Sequence, residues 1–120
     1  MKKIPRTELE IMKFIWSKKD KVSTKEVANH MEKVLGWKLS TTSKTLSRLV
    51  KKEFLVTERI GKQSYYTSTV EEDDYLKFET KDFFNYLHGK SLKSIISSLE
   101  ESDEITNEDL DDLEKWIKNR

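Results

Sequence analysis

The stretch Ser40-Thr41-Thr42-Ser43-Lys44-Thr45-Leu46-Ser47-Arg48-Leu49-Val50-Lys51-Lys52 decides the fold of this chain. At about 100° per residue, Thr42, Leu46, Leu49 and Val50 fall within one narrow arc of a helix. Ser40, Lys44, Ser47, Arg48 and Lys51 fall on the opposite side, with Thr41 at its edge and Ser43 on its flank. That second face carries hydroxyls and cations but no carboxylate. A merely solvated helix surface mixes its signs, so this face is shaped for a polyanion. A Lys-rich helix kept soluble by its charge is the competing reading, and the rest of the chain has to separate the two.

The 120 residues suffice for one medium domain or two very small ones. Charged residues make up 38% and hydrophobic ones 35%, so the apolar side chains must be well placed to build a core. No apolar run approaches the ~20 residues of a membrane span, and Met1-Lys2-Lys3-Ile4-Pro5 lacks the apolar region of a signal peptide. A cytoplasmic protein without membrane insertion is expected. The absence of cysteine excludes disulfides and thiolate metal sites. The net charge of +1 conceals an asymmetry. Residues 1–70 hold 16 Lys+Arg against 7 Asp+Glu, a net +9; residues 71–120 hold 7 against 15, a net −8. Such a division points to nucleic acid as the partner of the basic half, with the acidic half held away from it.

Upstream of the quoted stretch, Thr7-Glu8-Leu9-Glu10 and Ser23-Thr24-Lys25-Glu26 have the form of capping boxes, which start helices by satisfying free N–H groups. Leu9, Met12, Ile15 and Trp16, with Ile11 beside them, mark the first helix as amphipathic, and Trp16 reads as a core residue. Val27, Ala28, Met31, Val34 and Leu35 form the stripe of the second, which Gly36 ends. Trp37-Lys38-Leu39 links to the third, with Ser40 or Leu39 just before its first turn. This is the order of a helix-turn-helix.

Downstream, residues 54–60 and 65–70 are rich in β-branched and aromatic side chains, and Gly61-Lys62-Gln63-Ser64 between them reads as a hairpin turn. A two-stranded ribbon is unstable alone and has to pack on the helices, giving a winged helix. Arg59 and Lys62 near the hairpin tip are placed to touch phosphate or enter a minor groove. Tyr65 and Tyr66 point to opposite faces, so at least one belongs to the core rather than to a stacking platform.

In the acidic half, Thr69-Val70-Glu71-Glu72 forms a third box, and Glu71, Glu72, Asp73 and Asp74 suit the positive end of the following helix. Leu76, Phe83, Phe84 and Leu87, together with Tyr75, give its apolar side. Ser91 caps a helix bearing Leu92, Ile95, Ile96 and Leu99; Thr106 and Asp109 open a last one bearing Leu110, Leu113, Trp116 and Ile117. Fifty residues make too little chain for an independent core, and burial against a second copy is the simplest way to cover these stripes. Affinity argues the same way. One module bound through phosphates reaches only about 10⁻⁴ to 10⁻⁶ M, and joining two raises this by about 10² to 10⁴.

The chain resembles the penicillinase-repressor (BlaI/MecI/CopY) family of winged-helix repressors over nearly its whole length, and its BlaI/MecI branch most. The most specific parts are residues 7–16 (T-E-L-E-I-M-K-F-I-W) and 41–54 (T-T-S-K-T-L-S-R-L-V-K-K-E-F), joined by G-K-Q-S-Y-Y and K-S-I-I-S-S-L. The resemblance implies a homodimer, made by the C-terminal helices, that binds an operator dyad. In the β-lactamase branch it implies a membrane sensor-protease system and a cut in the dimerisation domain. Copper-responsive members carry Cys-x-Cys pairs, which are absent here. Staphylococcal-type repressors are cut at an Asn–Phe bond, and the matching bond is Ser98–Leu99. Losing Leu110, Leu113, Trp116 and Ile117 from a dimer would remove on the order of 6–12 kcal/mol, an upper bound at roughly 1.5–3 kcal/mol per buried side chain.

The expected fold is therefore mainly α with a small β-hairpin: a winged helix-turn-helix over residues 1–70 and a three-helix dimerisation domain over 71–120. The expected function is repression of a β-lactamase or related resistance operon through double-stranded DNA, without catalytic activity or cofactor. Thr41, Ser43 and Lys44 are the candidates for base contacts; Ser40, Ser47, Arg48, Lys51, Arg59 and Lys62 are those for phosphate. The hydroxyls of Thr41 and Ser43 suit either task. A winged-helix module that binds an acidic protein, or a repressor of another operon, is the alternative. His30 and His88 lie far apart with no accompanying nucleophile or metal constellation, so surface or packing roles are expected.

Overall fold

Burial of Thr42, Thr45, Leu46 and Leu49 along one side turns the quoted stretch into helix α3, Leu39–Lys51. The computed structural model describes residues 1–120, and around α3 it places α1 (Arg6–Trp16), β1 (Val22–Ser23), α2 (Thr24–Leu35), β2 (Leu55–Ile60) and β3 (Gln63–Ser68). Helices α4 (Glu72–Leu87), α5 (Leu92–Glu101) and α6 (Asn107–Lys118) follow. The protein is thus mainly helical with a small antiparallel sheet. The core is built from Ile11, Met12 and Ile15 of α1, Val27 and Met31 of α2, Leu46 and Leu49 of α3, and Phe54, Leu55 and Tyr66 of the hairpin region.

The hairpin has a third partner that the sequence pattern does not announce. β1, two residues long, pairs antiparallel with β3 (Val22 with Tyr66, Ser23 with Tyr65), so the sheet order is β1-β3-β2. A two-residue strand carries no periodicity; it is held by pairing with β3 and by burial of Val22 in the core. Gly61, at φ 63°, takes the first central position of the β2–β3 turn between Ile60 and Gln63, where the favoured two-residue hairpin turns need positive φ.

Two of the capping boxes form and two matches do not. Ser23 accepts from the Glu26 N–H and Glu26 reaches back to the Ser23 N–H; Thr106 and Asp109 do the same for α6. Ser91 caps α5. Thr7, by contrast, lies inside α1, which opens after Pro5 without a side-chain cap. Thr69 donates its hydroxyl to the Glu53 carbonyl instead of capping α4. Helix α3 starts at Leu39, with Lys38 in the cap position and no hydroxyl cap. Val34 and Leu35, expected on the buried stripe of α2, are exposed. They lie in its last turn.

The chain divides into two compact units, Met1–Phe78 and Glu79–Arg120. The first runs past residue 70 because the beginning of α4 belongs to its core. Tyr75 is fully buried, its hydroxyl oxygen accepts from the Ile4 N–H at 2.9 Å, and its ring lies against Trp16, Phe54 and Phe78. Leu76, expected among the dimerisation residues, therefore sits in this unit and is exposed. In the second unit no side chain is fully buried. Phe84, Ile95, Ile96, Leu110 and Leu113 are half-buried, while Phe83, Leu87, Leu92, Leu99, Trp116 and Ile117 stand exposed.

Candidate nucleic-acid interface

Helix α3 presents what its sequence pattern predicts on the side away from the core. Ser40, Thr41, Lys44, Ser47, Arg48 and Lys51 are exposed and Ser43 is half-buried at the flank. Lys44, Arg48 and Lys51 take part in no ion pair, and neither does Lys62 at the hairpin tip. Their ammonium and guanidinium groups are left to water or to a ligand. No acidic residue occupies the first turn of α3. The hydroxyls are less uniform. Ser47 donates to the Ser43 carbonyl at 3.1 Å and Thr45 to the Thr41 carbonyl at 2.9 Å, both bonds folded back on the helix, whereas Ser40, Thr41 and Ser43 have no such bond. Apart from the buried Thr42, the hydroxyls in the first turn of the helix, those of Ser40, Thr41 and Ser43, are not folded back on it.

The hairpin candidates differ from each other. Arg59 bends back and donates to the Lys62 carbonyl at 3.3 Å, bracing the tip. Lys62 extends freely from it. Lys21 pairs with Glu58 at 3.1 Å, which neutralises the one carboxylate on β2.

Two charged residues to which the motifs assign no role form the base of this arrangement. Glu8 is 4% exposed and accepts from the Lys52 ammonium at 2.7 Å. The pair ties α1 to the residue after α3. The sequence carries the signal, since Glu8, Ile11, Met12 and Ile15 follow helical spacing, although a carboxylate on that buried stripe requires the partner that Lys52 supplies. His30 packs on Phe14, ring centroids 4.4 Å apart, with Nε2 at 3.1 Å from Glu10 Oε1. His88 Nδ1 lies 2.9 Å from Ser94 Oγ in the other unit.

The Ser98–Leu99 bond lies in the last turn of α5. The Ser98 carbonyl accepts from the Ser102 N–H and hydroxyl at 3.2 and 3.0 Å, and the Leu99 carbonyl from the Glu104 N–H at 2.9 Å. The bond is at the surface, yet its backbone is held helical. No helix of the chain is long and apolar enough to cross a membrane.

Three helices, a wing, and a third helix with a one-signed cationic face define the class: a winged-helix protein of the DNA-binding type. The chain belongs to the penicillinase repressor family, whose model matches residues 4–119. It is 34% identical over 116 residues to the penicillinase repressor of Bacillus licheniformis, covering 94% of this chain and 90% of that one. To the penicillinase repressor of Staphylococcus aureus it is 29% identical over 110 residues, covering 92% and 86%. Among solved structures it resembles the DNA-binding domain of the repressor BlaI, with a TM-score of 0.55 and 37% identity over 62% of this chain and 94% of that domain.

Proposed function

We propose that this protein is a transcriptional repressor that binds an operator dyad as a homodimer, with α3 of each copy in a major groove. The observation that carries the reading is the set of exposed cations on α3 without partners, beside three hydroxyls not folded back on the helix. A phosphate backbone supplies what they lack, and base edges lie within reach of a helix in the groove. Thr41, Ser43 and Lys44 face bases near the start of α3; Ser40, Ser47, Arg48, Lys51 and Lys62 hold phosphates. Arg59 acts through the hairpin tip that it braces.

The second unit joins the two copies. Forty-two residues without one fully buried side chain fall at the size where oligomerisation is usually needed for stability. The exposed Phe83, Leu87, Leu92, Leu99, Trp116 and Ile117 supply the apolar surface. The relatives support a resistance operon, β-lactamase or similar, as the target. Release then follows from a cut at Ser98–Leu99 by a membrane sensor-protease system, which separates α6 from the rest. A protease takes extended backbone, so the turn closed by Ser102 has to open first.

Footprinting on the protein's own promoter tests the operator, with two protected half-sites related by a dyad as the expected result. Lys44→Ala weakens operator binding more than binding to random DNA. Lys51→Ala weakens both alike and lowers the salt slope by about 0.9 for each phosphate contact removed. Equal losses for the two variants would reject this division of roles.

A further inference from the structure

The charges of α5 run against its helix dipole. Lys93 stands in a first turn that holds no acidic residue, and Glu100 and Glu101 end the helix, with no basic residue in the last turn. Helix α6, in the same unit, has the opposite order, Glu108 and Asp109 first and Lys115 and Lys118 last. Anions stabilise the start of a helix and cations its end, so α5 is weakened where it closes. Asp103 and Glu104 carry the acidic run past that end, and none of the four carboxylates is in an ion pair. Asp103 adds a conformational cost, because its φ of 61° lies in the left-handed region that disfavours a side chain. Packing does not compensate, since residues 98–104 are all exposed. The Ser98 and Leu99 carbonyls accept from donors of Ser102 and Glu104, which belong to that same exposed stretch.

We infer that the last turn of α5 is a built-in opening point: it unwinds while the rest of the helix stays folded, and so presents Ser98–Leu99 as the extended backbone a protease takes. This rests on the cleavage reading given above. Local openings cost far less than global unfolding and occur where buried contacts are few. The rate of release is then set in the repressor as well as in the protease. Glu101 and Asp103 govern how often the turn is open, although neither belongs to the bond that is cut. Leu99 is the one apolar side chain of the stretch, so its packing against a second copy is the contact that opening gives up.

Amide hydrogen exchange of the full chain, followed residue by residue, tests this together with the rate at which thermolysin, which cuts before large aliphatic residues, cleaves Ser98–Leu99. Asp103→Gly removes the left-handed side chain and Glu101→Lys corrects the charge at the helix end. Each should raise the protection of the Ser102 and Glu104 N–H groups roughly fivefold. The protection of Ile95, nearer the start of α5, should stay unchanged. Cutting at Ser98–Leu99 should slow by the same factor, because cleavage follows the open population when opening is fast. Glu108→Lys makes the same change of charge at the start of α6 and should slow nothing. If the two variants leave Ser102 and Glu104 unchanged, or protect Ile95 equally, the turn does not open by itself and the inference is wrong, while the cleavage reading stands. If both variants close the turn as expected but the repressor recovered from antibiotic-induced cells is intact, the opening point stands and the cleavage reading falls.

Discussion

Thr42 occupies the middle of the buried face of α3 with its side chain fully enclosed and its hydroxyl without a hydrogen-bond partner. An unsatisfied buried polar group costs about 1–3 kcal/mol. Thr42→Val keeps the branched shape and removes the orphan oxygen, so it should stabilise the first unit by about 1 kcal/mol. In a unit of this size that corresponds to a rise of roughly 4–8 °C in melting temperature. Because Thr42 faces the core, operator affinity should stay unchanged. A calorimetric scan of the two chains checks the first expectation, and a lowered melting temperature would show that the hydroxyl has a partner in solution.

At the scale of the element, α3 closes on an unfavourable residue. Glu53 follows Lys52 with φ at 65°, in the left-handed region, and the Phe54 N–H closes the helix end on the Leu49 carbonyl at 3.0 Å. A side chain there costs about 1–2 kcal/mol, which glycine avoids. Glu53→Gly should therefore stabilise the chain by about 1 kcal/mol, visible as a higher urea midpoint at unchanged m-value; a fall in the midpoint would contradict it. How legible each element is in the sequence follows from how local its causes are. The faces of α3, the cap of α2 and the stripe of α6 depend on spacing within a single helix and can be read directly. β1 exists only because β3 lies beside it. Glu8 continues the buried stripe of α1 by its spacing, but only its pairing with Lys52, distant in sequence, allows a carboxylate there. Tyr75 escapes for a related reason: its stripe belongs to α4, but its burial depends on Ile4, distant in sequence.

For the whole molecule, the division of charge at residue 70 and the division of burial at residue 78 differ only by the start of α4. The basic half has a closed core and an outward cationic helix; the acidic half has apolar stripes and no closed core. In the proposed reading its acidic residues are kept off DNA by charge, with the wing and α3 as the contact surface. If the apolar residues of the second unit meet a second copy, Trp116→Ala together with Ile117→Ala should convert a dimer into a monomer in analytical ultracentrifugation. The double variant should also lose about 10² to 10⁴ in operator affinity, the gain that pairing two modules provides. An unaltered sedimentation mass would move the interface elsewhere.

In the proposed function, two copies of this chain read an inverted repeat. Selection of tight-binding duplexes from a random pool with the full chain addresses it directly, since the pool contains every candidate half-site. The expected result is an enriched inverted repeat whose half-sites lie about 10–10.5 bp apart, centre to centre, or a multiple of that. A pool that stays random through successive rounds, or that enriches an isolated half-site, would contradict it.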